Sequence, residues 1–315
     1  MTDILTVTMN PAVDLSGITQ CVVHTEKLRC TDVQHHPGGG GVNVAGVLNR
    51  LGGSCTAYYP AGGPRGRQLR DLLDAEGVRS QATEIGAETR ESICIHEECS
   101  GHDYRFVFPG PQLSEPEWQD CLAYLSSLEP APRHVVASGS LPPGVPDDFY
   151  ARLACVAQQR GSRLTLDTSG PALAAALDAG LFLIKPSLRE FLELTGLPTT
   201  SSEAEWIAAA RRIVTAGQAE MFLLSLGQRG ALLISQEETL RAGSVAVKVE
   251  STVGAGDSLL AGLLWGLDQN AGLAHAFRCA MAAAAAALLT RGTALCQASD
   301  VKELLERVSI VSLQL

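Results

Sequence analysis

Lysine is scarce in this chain of 315 residues: of 24 basic residues only four are lysines, at positions 27, 185, 248 and 302. The basic residues are also outnumbered by 34 acidic ones, which gives a formal net charge of −10. A surface that binds nucleic acid or an anionic membrane needs broad positive charge, so the composition argues against both partners. A small anionic ligand held by a few local cations remains compatible with it.

Long apolar segments and paired cysteine motifs are also missing. The alanine-rich run 279–289 is too short to span a bilayer, which takes about 20 apolar residues, and it predicts a buried helix. No signal peptide is expected at residues 1–4. The nine cysteines form no Cys-x-x-Cys pair, so we expect reduced, buried thiols and a cytoplasmic location. The alternation around Cys94, His96 and Cys99 predicts a strand in preference to a metal site.

Strand and helix patterns alternate along most of the chain, which predicts an α/β fold with a mostly parallel sheet covered on both faces. Residues 19–36 and 90–108 have strand patterns, including a first short strand at 21–23, but no helix to cover these strands. We expect about 16–36 and 90–108 to form a small separate β-sheet that acts as a lid. With 46% apolar residues the chain can build one large core, and we expect a single domain over 1–315.

The sharpest motif is the turn 251–258, which leads directly into an apolar helix. Gly254 and Gly256 leave backbone N–H groups uncovered at the helix N-terminus, where an anion binds because the free donors and the helix dipole both favour it. Asp257 follows at once. Beside an anion site this carboxylate could accept a proton from a nucleophile, although it could also simply complement the helix dipole.

A second glycine-rich loop spans residues 37–43 and also precedes a helical pattern. Four adjacent glycines, 38–41, lose much conformational entropy on folding, which favours a loop that a ligand approaches closely over a plain turn. The dinucleotide fingerprint fails here because its last glycine would fall on Asn43 or Val44. The chain also has no Gly-Lys pair, so a Walker A loop is absent.

Other candidate binding residues follow predicted strands or lie in the predicted lid. Asp14 and the stretches 185–190 and 225–230 come after strands whose carboxyl ends would meet at one sheet edge, where ligands bind in open α/β sheets. Four cations, Lys27, Arg29, Arg90 and Arg105, belong to the lid segments. Clustered, they would suit a phosphate monoester, whereas dispersed they would be ordinary solvated charges.

Together these motifs resemble the PfkB family of carbohydrate kinases, whose fold is the ribokinase-like three-layer α/β/α sandwich. The two family signatures correspond to 38–43 and 251–258 in this sequence. The chain is most similar to the branch that contains the minor 6-phosphofructokinase, tagatose-6-phosphate kinase and 1-phosphofructokinase. Stretches that support this branch are 27–31, 60–63, 104–110, 138–145 and 292–296.

The resemblance implies a role for each candidate residue. Asp257 would be the base, and Gly254, Ala255 and Gly256 the anion hole for the transferred phosphoryl group. The residues implied to bind the sugar phosphate are Asp14, Gly39, Asn43 and Ser140 at its hydroxyls, and Lys27, Arg90, Arg105 and a partner subunit's Arg29 at its phosphate. The residues implied to bind the nucleotide are Lys185, Ser187, Ser225, Gly227, Gly230 and Thr252. Glu190 would orient Mg²⁺ through water.

The implied activity is ATP- and Mg²⁺-dependent phosphorylation of fructose 6-phosphate at its 1-hydroxyl by a homodimer joined through the lid, with K⁺ as a further candidate cofactor. Tagatose 6-phosphate and fructose 1-phosphate are the alternative substrates, and a catalytically silent sugar-phosphate-binding protein is an alternative of another class. Ser187 replaces the Asn that is usual in the family, which leaves the metal and nucleotide contacts at this position open. Ser251 is typical of the 6-phosphofructokinase branch.

Overall fold

The computed structural model describes residues 3–292 and 294–313. The strands are β1 (Ile4–Val7), β2 (Ala12–Thr19), β3 (Thr31–Gly38), β4 (Cys55–Ala61), β5 (Ser80–Glu84), β6 (Arg90–Glu97), β7 (Asp103–Val107), β8 (His134–Ser138), β9 (Arg163–Asp167), β10 (Leu181–Ile184), β11 (Ala219–Ser225), β12 (Ala231–Ser235), β13 (Thr239–Ala242) and β14 (Ile310–Ser312). The helices are α1 (Gly40–Arg50), α2 (Gly63–Ala75), α3 (Glu115–Ser127), α4 (Phe149–Gln159), α5 (Gly170–Ala176), α6 (Leu188–Thr195), α7 (Glu203–Thr215), α8 (Ala255–Asp268), α9 (Leu273–Ala287) and α10 (Ala298–Leu305).

The main sheet has ten strands in the order β14-β13-β12-β11-β10-β9-β8-β1-β4-β5. The strands from β11 to β5 pair in parallel, and β12, β13 and β14 extend the sheet in antiparallel fashion. The central parallel strands are short and apolar; β10 reads Leu-Phe-Leu-Ile and is buried along its whole length. Such runs are typical of strands covered on both faces, and the predicted mostly parallel sheet is confirmed.

Two helical layers cover the main sheet, each over its own apolar cluster. One cluster includes residues of α1, α8, α9 and α10, and the other includes residues of α3, α4, α6 and α7. The alanine-rich segment forms the buried helix α9, as predicted. It packs closely on α8, because a Cβ at Gly262 would lie only 2.7 Å from the Cys279 carbonyl oxygen. This packing fixes α8, whose N-terminus carries the glycine turn.

A separate sheet of four strands, the small sheet, has the order β3-β2-β6-β7. It lacks covering helices, as its sequence pattern predicts, but its strands differ from those predicted. The sheet begins at Ala12 and β3 continues to Gly38, so Asp14 lies within a strand of the small sheet. The predicted strand at 21–23 is wrong. Residues 20–30 form no strand, and the Val22 N–H donates to the Glu97 carboxylate at 2.5 Å where a strand would pair with a neighbour.

The expectation of reduced, buried thiols is wrong for four of the cysteines. Cys21 and Cys99 are joined by a disulfide, which ties the segment 20–30 to the turn between β6 and β7. Cys30 and Cys155 are exposed. The remaining five, at positions 55, 94, 121, 279 and 296, are free and buried. Cys94 and His96 lie in β6, as predicted. Among the helices described, none is long and apolar enough to cross a membrane.

Candidate active site

A cavity of about 490 Å³ lies between the carboxyl ends of the parallel strands and the inner face of the small sheet. This is the edge at which the sequence predicts ligand binding. Predicted site residues in its lining are Asp14, Gly39, Asn43, Arg90, Arg105, Ser140, Glu190, Thr252, Gly254, Gly256 and Asp257. Residues to which the sequence analysis assigned no role also line it, among them Ser92, Ser138, Asp167, Thr168 and Ser169, and Gly40 of the glycine-rich loop is part of the lining as well.

The glycine turn at one side of the cavity has the geometry of an anion site. Gly254 is the N-cap of α8 and adopts a left-handed conformation with φ of 75°, which favours glycine. No side chain caps this helix. The first N–H groups of α8, from Ala255 and Gly256 onward, therefore have no partner within the helix, and they lie where the helix dipole is positive.

Asp257 sits in the first turn of α8 and meets the first turn of α1. The Asn43 side-chain amide donates a hydrogen bond to Asp257 Oδ2 at 2.7 Å. Burial and, to a smaller extent, the nearby Asp167 carboxylate raise the pKa of Asp257 to about 6, while Asn43 and Lys185 act in the opposite direction. The carboxylate is thus ionised at neutral pH with a pKa close to it, as suits a general base.

Lys185 forms an ion pair with a second carboxylate that the sequence analysis missed. Its Nζ lies 3.0 Å from Asp167 Oδ1, and the Ser138 hydroxyl donates to Asp167 Oδ2 at 3.1 Å. Burial raises the pKa of Asp167, partly offset by Lys185. Burial alone would lower the pKa of Lys185, but Asp167 and Asp257 outweigh it and raise that pKa. Asp167 could have been found, because it ends β9 at the edge where the other candidates lie.

The opposite side of the cavity, formed by the small sheet, contains Asp14, Arg90 and Arg105. Burial raises the pKa of Asp14, while the two arginines and the Ser92 hydroxyl lower it. Only these two of the four predicted cations reach the cavity. Lys27 and Arg29 lie exposed in the segment 20–30, outside the cavity lining.

The structure brings together only part of the predicted nucleotide site. Thr252 lines the cavity, whereas Lys185, Ser187, Ser225, Gly227 and Gly230 are not in its lining. Ser187 is the N-cap of α6, where its N–H donates to Glu190 Oε2 at 2.8 Å and its hydroxyl accepts from the Glu190 N–H at 3.4 Å. Ser and Asn are both good N-caps, so the replacement preserves this helix start. Ser187 is bridged to Ser225 in parallel pairing. Gly227 and Gly230 bound the short turn that follows β11, with φ of 60° and 90°.

The cavity also contains groups that fit a hard divalent cation. Asp167 and Glu190 both line it, and carboxylate oxygens are the ligands that Mg²⁺ prefers. Glu190 Oε2 is engaged by the Ser187 N–H, which leaves Oε1 for water or metal. These carboxylate oxygens therefore fit the Mg²⁺ implied by the sequence. Asp167 is a candidate ligand in addition to the predicted Glu190.

Comparison with known families identifies this arrangement. The model of the pfkB family of carbohydrate kinases matches residues 7–300, nearly the whole chain. The chain belongs to this family. The resemblance based on 38–43 and 251–258 is thereby confirmed, and the protein is a carbohydrate kinase, an enzyme that transfers phosphate to a sugar hydroxyl.

Similar proteins of known activity cover the same length. The chain is 43% identical over 303 residues to ATP-dependent 6-phosphofructokinase isozyme 2 of Mycobacterium tuberculosis, covering 96% of this chain and 89% of that protein. It is 40% identical over 305 residues to the isozyme 2 enzyme of Escherichia coli K12, covering 96% and 98%.

Solved structures agree with the fold. Escherichia coli phosphofructokinase-2 has been solved with fructose-6-phosphate, with potassium and as a tetrameric inhibited form, with TM-scores to this chain of 0.91, 0.92 and 0.90 and identities of 38–39%. Each alignment covers 98% of this chain and 99% of the other. An Arabidopsis thaliana ribokinase at 20% identity, TM-score 0.76, covering 97% and 99%, shares the fold. The predicted ribokinase-like sandwich is confirmed.

Proposed function

We propose that this protein is an ATP-dependent 6-phosphofructokinase, which transfers the γ-phosphoryl group of ATP to the 1-hydroxyl of fructose 6-phosphate and yields fructose 1,6-bisphosphate. One observation carries the proposal. A single cavity holds an uncapped glycine turn with a carboxylate of pKa about 6 on one side and, on the other, Arg105, an exposed arginine that makes no hydrogen bond or salt bridge with the described residues. This arrangement suits a substrate with a reacting hydroxyl at one end and a phosphate at the other. The two relatives described above act on the same substrate by name.

In this proposal Asp257 accepts the proton of the attacking hydroxyl. The Asn43 amide occupies Oδ2, which leaves Oδ1 to face the sugar. The N–H groups of Gly254, Ala255 and Gly256 bind the phosphoryl oxygens as charge develops on them. Asp14, Gly39, Asn43 and Ser140 bind the sugar hydroxyls, and Arg105 binds the sugar phosphate.

ATP lies along the main sheet, beside Lys185, Ser187, Ser225, Gly227, Gly230 and Thr252. Asp167 and Glu190 would hold Mg²⁺, which neutralises phosphate charge during transfer. Lys185 supplies an internal positive charge to Asp167 and Asp257 before any ligand arrives, a role that the sequence reasoning did not include. K⁺ is a candidate further cofactor, supported by the potassium complex of the Escherichia coli relative.

The small sheet acts as a lid and as the interface of a homodimer in the cytoplasm. Its outer face, turned away from the cavity, exposes Val33 and Phe106 by 51% and 53%, and Val22, Val23, Leu28 and Phe108 are exposed beside it. An apolar surface of this kind marks an interaction site. Lys27 and Arg29 are exposed in the segment 20–30, which carries three of these apolar residues, so a partner subunit is the route by which they could reach a sugar phosphate.

A substrate panel tests the proposal. The protein with Mg²⁺-ATP is assayed for ADP release on fructose 6-phosphate, tagatose 6-phosphate, fructose 1-phosphate and fructose, and the products are identified by NMR. We expect the highest kcat/KM on fructose 6-phosphate, with the new phosphate at the 1-position. A higher kcat/KM on tagatose 6-phosphate or fructose 1-phosphate would assign that sugar as the substrate instead. Tight fructose 6-phosphate binding with no turnover of any member would favour a silent binding protein.

A further inference from the structure

The small sheet joins the main body through four chain crossings: 8–11 between β1 and β2, 39 between β3 and α1, 85–89 between β5 and β6, and 108–114 between β7 and α3. Any movement of the small sheet relative to the main sheet must bend these segments. The contacts among them therefore decide how the small sheet is held.

Arg90 connects three of the four crossings. It begins β6, immediately after the third crossing. Its Nε and Nη2 both donate to the Asn10 carbonyl in the first crossing, at 3.3 and 3.0 Å. Its Nη1 donates to the Phe108 carbonyl in the fourth crossing at 3.4 Å and to the Ser92 hydroxyl at 3.2 Å. Backbone carbonyls cannot move away as side chains do, so these bonds fix the relative positions of the segments.

The first and fourth crossings also pack directly against each other. A Cβ at Gly110 would lie 2.1 Å from Asn10 Oδ1, so any larger residue there would displace the Asn10 side chain. Asn10 Nδ2 donates to the hydroxyl of Ser140, which lines the cavity, at 3.2 Å. We call the four chain crossings the hinge of the small sheet. The contacts of Asn10 and Arg90 therefore lie where this hinge meets the cavity.

Arg105 has a different environment, although it lines the same cavity. It has no hydrogen bond or ion pair with the described residues, and it is exposed. A guanidinium has five N–H donors. All five of Arg105 are free for a phosphate. In Arg90, Nε, Nη2 and both N–H groups of Nη1 are already used, so a single N–H on Nη2 remains.

We infer that Arg90 is a positioning residue of the hinge, which fixes the small sheet over the cavity by binding the Asn10 and Phe108 carbonyls, whereas Arg105 is the main ligand of the sugar phosphate. The remaining Nη2 N–H of Arg90 can meet the same phosphate, so substrate binding acts directly on the hinge. This inference rests on the proposed function. It departs from the sequence-based expectation that both arginines serve equally as phosphate ligands.

The test compares Arg90→Gln with the matched variant Arg105→Gln. For Arg105→Gln we expect KM for fructose 6-phosphate to rise about 10- to 100-fold, as for loss of a charged hydrogen-bonding group, with a small change in kcat. For Arg90→Gln we expect kcat to fall about tenfold and ADP release without sugar phosphorylation to increase several-fold, because a poorly held small sheet admits water.

Hydrogen exchange without substrate provides the second measurement. In Arg90→Gln the amides of Met9, Asn10, Ala12, Phe108 and Gly110 should exchange about tenfold faster than in the wild type, while those of Arg105→Gln stay unchanged. Because this measurement needs no turnover, it decides the hinge role even if fructose 6-phosphate proves not to be the substrate. Failure of the wild type on the substrate panel would instead refute the proposed function.

Arg90→Lys shows whether the effect depends on the hydrogen bonds of the guanidinium or only on its positive charge. It also provides a second variant if Arg90→Gln does not fold. Lysine keeps the positive charge but lacks the planar fork that binds two carbonyls at once. We expect Arg90→Lys to show the same fast exchange as Arg90→Gln at the amides of Met9, Asn10, Ala12, Phe108 and Gly110. The inference is overturned if Lys restores wild-type exchange and kcat, if Arg90→Gln changes only KM, or if its faster exchange extends throughout the main sheet.

Discussion

The main sheet and the small sheet contribute opposite properties to one cavity. The central strands of the main sheet are buried on both faces, and the loops at their ends carry a buried ion pair and the uncapped turn of α8. The small sheet is much more exposed, since most residues of β3 and β7 are accessible to solvent, and it presents apolar side chains on its outer side. In the function proposed above, the main sheet supplies the reacting groups, and the small sheet supplies recognition of the sugar phosphate, closure over the cavity and the dimer interface.

The largest effect on activity is expected from removal of the base, which lies on the main-sheet side of the cavity. We expect Asp257→Asn to lower kcat by about 10²- to 10⁴-fold, the usual contribution of general acid–base catalysis. The amide fills the same space, so ATP binding measured by calorimetry should persist. Asn43→Ala is a useful companion, because it removes the 2.7 Å hydrogen bond to Asp257 but retains the carboxylate. Turnover by Asp257→Asn within a few-fold of wild type would place the base elsewhere.

A charge on the outer face of the small sheet should disrupt assembly. Phe106 is 53% exposed in the single chain, and an unpaired carboxylate there would have to be desolvated at an interface. We expect Phe106→Asp to weaken self-association about 30-fold or more, as for loss of an interface hot spot, by sedimentation equilibrium. Val311→Asp, equally exposed at 54% on the edge strand β14 of the main sheet, is the matched control. Equal loss of association in both variants would place the interface away from the small sheet.

The pKa of Asp257 predicts the acid limb of the activity profile. A base must be deprotonated, and kcat/KM reports the groups of the free enzyme, so kcat/KM should fall about tenfold per pH unit below the value of about 6. The same shift affects stability with a definite sign. Because the pKa lies above its ordinary 3.8 in the folded protein, this group's contribution to stability is lost as pH rises from about 4 to 6. Asp257→Asn should remove that slope in chemical denaturation curves, and an unchanged slope would contradict the assignment.

The smallest expected effect concerns the helix start at Ser187. Ser187→Ala removes the hydroxyl that caps α6 and should lower the free energy of unfolding by about 1 kcal/mol. Ser187→Asn, which restores the usual family residue, should keep that stability. A comparison of KM for ATP in the two variants shows whether position 187 also contacts the nucleotide. Equal stability of the Ala and wild-type proteins would show that the cap contributes nothing.

Sequence patterns predicted the fold well where apolar residues form a continuous run or recur with one clear spacing along the chain. The sequence patterns predict strands at 134–138, 163–167, 181–184 and 221–225, where the structure has β8 to β11, and the alanine-rich run forms α9. The helix α3 and the strands β5 and β14 were not predicted. In α3 only Trp118, Cys121 and Leu125 are buried, a weak apolar stripe. Residues 21–23 have strand propensity, but the disulfide at Cys21 and the bond of Val22 to Glu97 determine their conformation.

The sequence by itself determined the glycine turn, the adjacent Asp257 and the covered parallel sheet. These features depend on neighbouring residues: the positive φ at Gly254 favours glycine, and an apolar run favours burial. Only the tertiary structure decided the pairing of Lys185 with Asp167, the bond between Asn43 and Asp257, and the use of Arg90 on backbone carbonyls in place of a free anion site. A polar side chain pairs with whichever partner packing brings within about 3 Å, and residue spacing along the chain does not encode that distance.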